Sequence, residues 1–337
     1  MSSSSAVAGQ GGAAWLARRP LVKQQLMLLL GLVIIVGAFE ILNVGFLSAD
    51  NVSSILQDST ETILLAFGET LVIITGGIDI SVGATLGLSG ILGSLVLVNV
   101  NQGGAGLGAF PSLLLGVLAA LAVGFVIGLA NGLMVTKAKV TPFIATLAML
   151  GVATGLTFVL TNGVDVSGMS PSIATWGNHV FLGILTLPIL VTAILGILVG
   201  LFLHCARFGR WTFAIGSNAR AARGAGIPVQ RHLLKIYVLA GLLSAVSGVL
   251  VFMRLGTGSP LEGANDELNA IAAVVIGGAS LFGGTGTILG SLLGALIIGV
   301  IVNGLIVAGI QPYWQTVIIG VIIAVAVMMQ ERGRARD

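Results

Sequence analysis

The chain has 337 residues, of which 56% are hydrophobic and 8% charged, whereas an average soluble domain carries roughly 25% charged residues. Mean hydropathy is +1.10 and 50 glycines stand beside only 8 prolines. This excludes a soluble domain, a disordered chain and a collagen-like repeat, because disorder needs low hydrophobicity and collagen needs a strict glycine period with proline.

The N-terminal stretch 1–22 reads as a disordered cytoplasmic tail, rich in Ser, Gly and Ala over Met1–Gly12. Apolar runs then follow at about 26–42, 63–78, 82–98, 112–135, 143–160, 181–204, 236–253, 269–282, 287–308 and 314–329. At about 20 residues per crossing, they predict an all-α polytopic membrane protein of about ten transmembrane helices. These fill a transmembrane domain over 23–331, and residues 332–337 form a second cytoplasmic tail. Arg18, Arg19 and Lys23 ahead of the first run resemble the start of a signal peptide. That run continues to about Leu42 without a small-x-small cleavage site, so it reads as an uncleaved first span. The runs 63–78 and 269–282 are short and interrupted by glycine, and either could re-enter rather than cross.

Charge tests the count, because short cytoplasmic loops carry excess Lys and Arg. With the N-terminus inside and ten crossings, fourteen of the 15 basic residues fall on the inner side. They are Arg18, Arg19 and Lys23; Lys137 and Lys139; Arg207, Arg210, Arg220, Arg223, Arg231 and Lys235; and Arg332, Arg334 and Arg336. Only Arg254 lies outside, where Glu40, Asp50, Asp58, Glu61, Asp165, Glu262, Asp266 and Glu267 gather. Making both short runs re-entrant would move the basic loop 205–235 outside, against the rule. Both termini are therefore expected in the cytoplasm, with the spans in contact with membrane lipid. The sequence pI of about 9.4 reflects topology and not nucleic-acid binding, since no aromatic residues interleave with the cations in a recognition motif.

Loop 205–235 holds a helix signature: Ser217 or Asn218 as N-cap, good helix formers over Ala219–Arg223, Gly226 placed for a left-handed terminus, and Pro228 as a stop. It reads either as a solvated turn that pins topology or as a docking element for a cytosolic partner. A second feature is Ile74-Thr75-Gly76-Gly77-Ile78-Asp79-Ile80-Ser81, where a span breaks at paired glycines and restarts after an acid and a hydroxyl. Asp79 or Ser81 can satisfy amide donors at the new helix start. Gly277-Gly278 through Gly283-Gly284 repeats the pattern, and paired glycine-broken segments point to a transport pathway. Asp79 reads either as a helix cap or as a pathway residue. Glu69, Asn131 and Asn303 are polar within spans and suit interhelical hydrogen bonds. Gly116, Ala120, Gly124 and Gly128, like Gly290, Gly294 and Ala295, repeat at helical spacing and suit close helix packing.

Certain motifs are absent. Cys205 is the one cysteine, so no intramolecular disulfide forms, and His179, His204 and His232 lack metal-ligand spacing. There is no G-x-x-x-x-G-K-[ST], G-x-S-x-G or H-E-x-x-H, so neither a P-loop nor a hydrolytic constellation can be assembled. Acids and bases do not line the spans as a proton relay needs, and so little charge suits a neutral, hydroxyl-rich solute.

Leu71–Gly83, LVIITGGIDISVG, resembles the hallmark segment of the permease subunits of ABC importers for ribose, xylose, galactose and related monosaccharides. Ala214–Ile227, AIGSNARAARGAGI, is similar to that family's coupling-helix segment. KIYVLAGLLSAVSGVL, Thr141–Leu147, IGGASLFGGTGTILGSLLGALIIG and the stretch from Asn303-Gly304 to Tyr313-Trp314-Gln315 also match, in the same order. The resemblance covers about residues 25–330. It implies a type II-like ABC importer permease fold, a second permease copy as homodimer or close paralogue, a cytoplasmic ABC ATPase that binds ATP and Mg, and a periplasmic or lipid-anchored sugar-binding protein. No cofactor is implied for this chain, and no catalytic residue. Coupling residues carried over are Gly216, Asn218, Ala221, Ala222, Gly226 and Ile227. The family usually has acids just after the Asn218 position, where this chain has Ala219 and Arg220, so a contact with the ATPase would use Arg220 or Arg223. Pathway candidates are Gly76, Gly77, Asp79, Ser81, Asn131, Phe143 and Asn303. The alternatives are an ion-coupled carrier for a neutral solute, an ABC permease for a nucleoside or branched-chain amino acid, and a membrane-embedded enzyme or scaffold.

Overall fold

The computed structural model describes residues 20–102 and 106–311, then 313–314, 316–321, 324–325 and 328. Residues 1–19 of the expected N-terminal tail and all of the tail 332–337 lie outside the described residues. The first helix, α1 (Pro20–Leu42), begins inside the stretch read as tail, with a proline whose fixed φ suits a first helical turn. It is followed by α2 (Ala49–Ile74), α3 (Val82–Gln102), α4 (Ala109–Thr136), α5 (Pro142–Thr161) and the short α6 (Pro171–Asn178). A hairpin of β1 (Val180–Phe181) and β2 (Leu185–Thr186) comes next, paired antiparallel. The chain continues through α7 (Leu187–His204), α8 (Arg207–Ser217), α9 (Ala219–Gly224), α10 (Val229–Leu255), α11 (Asp266–Ile276) and α12 (Ile288–Val307).

Seven of these helices are long and apolar enough to cross a membrane: α1, α3, α4, α5, α7, α10 and α12. Each coincides with one of the apolar runs. Helix α2 has 26 residues, which at 1.5 Å per residue is length enough, but Asp50, Asp58, Glu61 and Glu69 interrupt its apolar pattern. Those acids also hid its first half from the apolar count, so the run 63–78 is only its end plus a break. The run 269–282 resolves into the 11-residue α11, too short to cross alone, and a glycine loop. The run 181–204 loses its first residues to the hairpin, a small departure from an all-α chain. Leu182 and Gly183 both take positive φ there, as a tight hairpin turn requires. The last run, 314–329, is helical at its described positions.

Helices α2 and α10 form the centre. From Ile63 to Ile74 every residue of α2 is buried, so the helix is apolar on all sides where it is packed on all sides. Helix α10 runs antiparallel to α2: Arg254 pairs with Asp58 and Glu61 at one end, and the main chain of Ala240 lies against Gly68 further along. The glycine stripe of α4 lets it lie against α10 almost backbone to backbone, Gly124 on Gly241 and Gly128 on Tyr237–Val238. Gly90 of α3 packs on Gly248 in the same manner, and Gly290 and Gly294 of α12 meet Gly277 and Ala273. These contacts are the close small-residue packing that membrane helices use in place of a hydrophobic drive. The bundle thus has one end marked by the basic α8–α9 loop and an opposite end marked by Arg254 and its two acids.

Candidate functional site

The bundle is interrupted twice. After α2 the chain is non-helical through 75–81, with turns at 75–76 and 80–81, before α3 begins, and after α10 it runs non-helically through 256–265 before α11 begins. The second segment lies antiparallel along α3, with Gly258 beside Ser94, the Glu262 carbonyl beside Gly87, and Gly263 against Gly83. The starts of α3 and α11 therefore meet inside the bundle at the Gly83–Gly263 contact, near the cluster of Leu65, Val82, Leu86, Val251 and Ala270. Two helix N-termini, each carrying partial positive charge, face a region supplied with acids: Asp79 before α3, and Asp266 and Glu267 in the first turn of α11. The segment 256–265 thus packs on the start of α3, whereas the second glycine segment meets the first break itself: Gly284 N–H donates to the Ile74 carbonyl at 2.8 Å, and a Cβ on Gly283 would stand 3.0 Å from the Gly76 nitrogen.

The first interruption is a buried polar knot, in which Glu69 Oε2, Asn131 Oδ1 and the neighbouring Tyr237 hydroxyl lack a hydrogen-bond partner among the described residues. Asp79 Oδ1 accepts from the Ser81 N–H at 3.0 Å and the Ser81 hydroxyl at 2.6 Å. Asn131 on α4 donates to Ser81 Oγ at 2.8 Å and to Asp79 Oδ2 at 3.5 Å. Glu69 Oε1 accepts from the Asp79 N–H at 3.1 Å. Thr146 of α5 accepts from the Ile80 N–H at 3.3 Å and donates to the Ile78 carbonyl at 3.2 Å. Glu69, Asp79, Ser81, Asn131 and Thr146 are all at most 2% exposed. The knot therefore ties α2, α4 and α5 to one short stretch of non-helical backbone. Gly76 takes φ +80°, and a Cβ on Gly77 would stand 2.8 Å from the Tyr237 hydroxyl; glycine is needed for conformation at one and for space at the other. Of the expected pathway residues, the structure brings Gly76, Gly77, Asp79, Ser81 and Asn131 together. Phe143 lies apart on α5 with half its surface exposed. Asn303 sits on α12 with its buried Oδ1 lacking a hydrogen-bond partner among the described residues. Glu69 and Thr146 complete the knot; Glu69 stood out in the sequence as a lone acid within a span, whereas Thr146 carried no signal of its own.

At the basic end the expected helix is α9. Asn218 caps it, its Oδ1 accepting from the Arg220 and Ala221 N–H groups at 3.0 Å each, and Gly226 ends it with φ +81°. Asn218, Arg220, Ala221, Arg223 and Gly226 are exposed. Ala222 turns inward onto Ile215 and Val229, with Ile227 packed beside them, so these two seat the helix on its own chain. The preceding helix α8 was not foreseen. It is held to α10 by Thr212 and His232, 2.9 Å apart, and by Phe208 and Trp211 packed on that histidine. Its Gly216 fits where a Cβ would collide with the Ile74 carbonyl and stand 2.6 Å from the Gly284 nitrogen, and Gly284 N–H donates to that carbonyl at 2.8 Å. The docking loop, the end of α2 and the late glycine loop therefore meet at a single backbone junction.

Comparisons with known proteins agree with this arrangement. A family profile described as "Branched-chain amino acid transport system / permease component" matches residues 51–327. The chain is 42% identical to the ribose import permease protein RbsC of Bacillus subtilis over 93% of its own length and 95% of that protein's. It is 38% identical to the ribose import permease protein RbsC of Escherichia coli K12, over 90% and 92%, and 36% identical to the galactose/methyl galactoside import permease protein MglC of Haemophilus influenzae, over 88% and 90%. No solved structure matches the chain. A bundle of apolar helices broken twice inside, with a capped basic helix at one end, matched along nearly its whole length by import permeases, belongs to this permease-component family of transport systems.

Proposed function

We propose that the chain is the transmembrane permease subunit of an ABC importer for a monosaccharide, ribose-like or a related neutral sugar, in the bacterial cell (inner) membrane. The sugar reading rests on the relatives at 35–42% identity, named for ribose, galactose and fructose, over the amino-acid wording of the family description. In this reading ten crossings leave both termini in the cytoplasm, two permease copies enclose the path, and a binding protein delivers the sugar at the Arg254 end. A separate ATPase, holding ATP and Mg, engages the exposed Asn218, Arg220, Ala221, Arg223 and Gly226. The pathway candidates at 76–81 and Asn131 act by fixing the interruption beside the path.

The observation that carries the coupling is the backbone junction of Gly216, Ile74 and Gly284. A push on α9 reaches α8, then the ends of α2 and of the late glycine loop, with no flexible side chain between. ATP binding in the partner can then bias one state of the pair through differential contact. The purified chain alone is expected neither to hydrolyse ATP nor to move sugar, and a coexpressed cognate ATPase is expected to copurify with it. Gly226→Val meets no neighbouring atom but demands a positive φ of a β-branched residue. It should let ATP hydrolysis proceed while uptake falls at least about tenfold; unchanged coupled uptake would sink the docking assignment.

A further inference from the structure

At the second interruption the polar side chains border a cavity. This cavity of about 210 Å³ lies between the interruption, the start of α3 and the exposed face of α5, lined by Glu262, Asn265, Glu267, Thr154 and Phe158 among others. At a liquid share of ~30 Å³ per water it holds about seven waters, the bulk of one small polyol. Gly87 lines it, and Gly83 packs behind it: a Cβ at Gly83 would stand 2.5 Å from Glu267 Oε2, and one at Gly87 would stand 2.6 Å from the Glu262 carbonyl.

Asn265 is the N-cap residue of α11, yet it takes φ +69° and its side chain makes no cap hydrogen bond. Asparagine at this position ordinarily accepts from the first-turn amides, as Asn218 does for α9. The Asn265 amide is instead turned to the cavity, and it lines a second notch of about 180 Å³ on the other side of the same tip. On α5, Thr146, Thr157 and Thr161 bond carbonyls one turn back, whereas Thr154 has no such bond among the described residues. Neither does the Glu262 carboxylate have a hydrogen-bond donor or ion-pair partner among them; the ion pairs there are those of Arg254. Ligand sites have this composition: mostly apolar walls, an aromatic face and a few convergent polar groups.

The geometry points to a solute subsite at the tip of the second interruption. There Glu262 and Glu267 accept hydrogen bonds from the hydroxyls of a single neutral sugar, Asn265 and Thr154 read further hydroxyls, and the Phe158 ring covers its C–H face. The inference rests on the sugar-importer reading and adds the residues of this chain that discriminate among sugars.

The test uses the full transporter with its ATPase and binding protein in proteoliposomes, comparing uptake of the imported sugar with its mono-deoxy analogues. Glu262→Gln and Thr154→Val should each shrink the preference over one analogue by about tenfold, the scale of a lost charge-assisted or buried hydrogen bond. Taking a ratio within each variant cancels losses in assembly. As a second readout, Thr154→Cys in a Cys205→Ser background should be shielded from a small membrane-permeant maleimide by sugar during turnover. Cysteine at exposed Leu201 on α7 should not be. Unchanged preferences in both variants with equal labelling would overturn the subsite while leaving the importer intact. A wild-type transporter that imports no sugar would instead overturn the importer reading, and the subsite with it.

Discussion

The two interruptions of the bundle are built from similar residues and behave oppositely. At 75–81 the acid, hydroxyl and amide of Asp79, Ser81 and Asn131 bond one another in a buried cluster. At 256–267 the acids and amide of Glu262, Asn265 and Glu267 face a cavity. The difference teaches that a break in a membrane helix can serve to hold or to handle. A break whose acid, hydroxyl and amide bond one another fixes the geometry of the helices around it. A break whose side chains border a cavity can offer them to a solute.

Three substitutions sharpen that contrast. Asp79→Ala has the largest expected effect, because it strips the acceptor from the Ser81 N–H, the Ser81 hydroxyl and the Asn131 amide. It should cost on the order of 3 kcal/mol, seen as a large drop in thermal unfolding temperature in detergent, with Asp79→Asn milder. Equal stability of Asp79→Ala and wild type would remove the distinction between the breaks. Gly87→Ala is intermediate: its methyl would press the Glu262 carbonyl and drive the tip into the cavity. Overpacking of this kind costs about 1–3 kcal/mol, and sugar uptake should fall further than unfolding temperature predicts; a loss of stability with full uptake would argue against the open break as a handling site. The smallest effect is Asn218→Ala, which removes a helix cap worth about 1 kcal/mol. Amide hydrogen exchange over 219–224 should rise several-fold, with the bundle untouched, and no change there would mean that the cap is idle.

Several features were legible in the sequence for physical reasons. The α9 helix was readable because capping is local: Asn218, good formers and Gly226 lie within nine residues. The break at 75–81 was readable because paired glycines followed by an acid are rare inside apolar sequence. The glycine stripes of α4 and α12 announced close packing, and the contacts of Gly124 and Gly294 bear it out. The second interruption was not legible, since 256–265 carries Glu262, runs straight into Asp266 and Glu267, and reads as an outer loop by polarity alone. Only contact with Gly83 and Gly87 of α3, distant in sequence, draws it into the bundle. Helix α8 escaped for a related reason: its cationic face over 207–210 concealed the residues, Thr212 and Gly216, that seat it.

The junction of Ile74, Gly216 and Gly284 has a mechanical corollary. Two machine parts that meet through long side chains have play, because rotamers swing before the load is felt. Here carbonyl meets amide with a glycine pressed against both, and the slack is no more than the stretch of a hydrogen bond. A linkage with so little backlash needs only a short stroke. A displacement of an ångström or so at α9 therefore arrives at the ends of α2 and of the late glycine loop nearly undiminished.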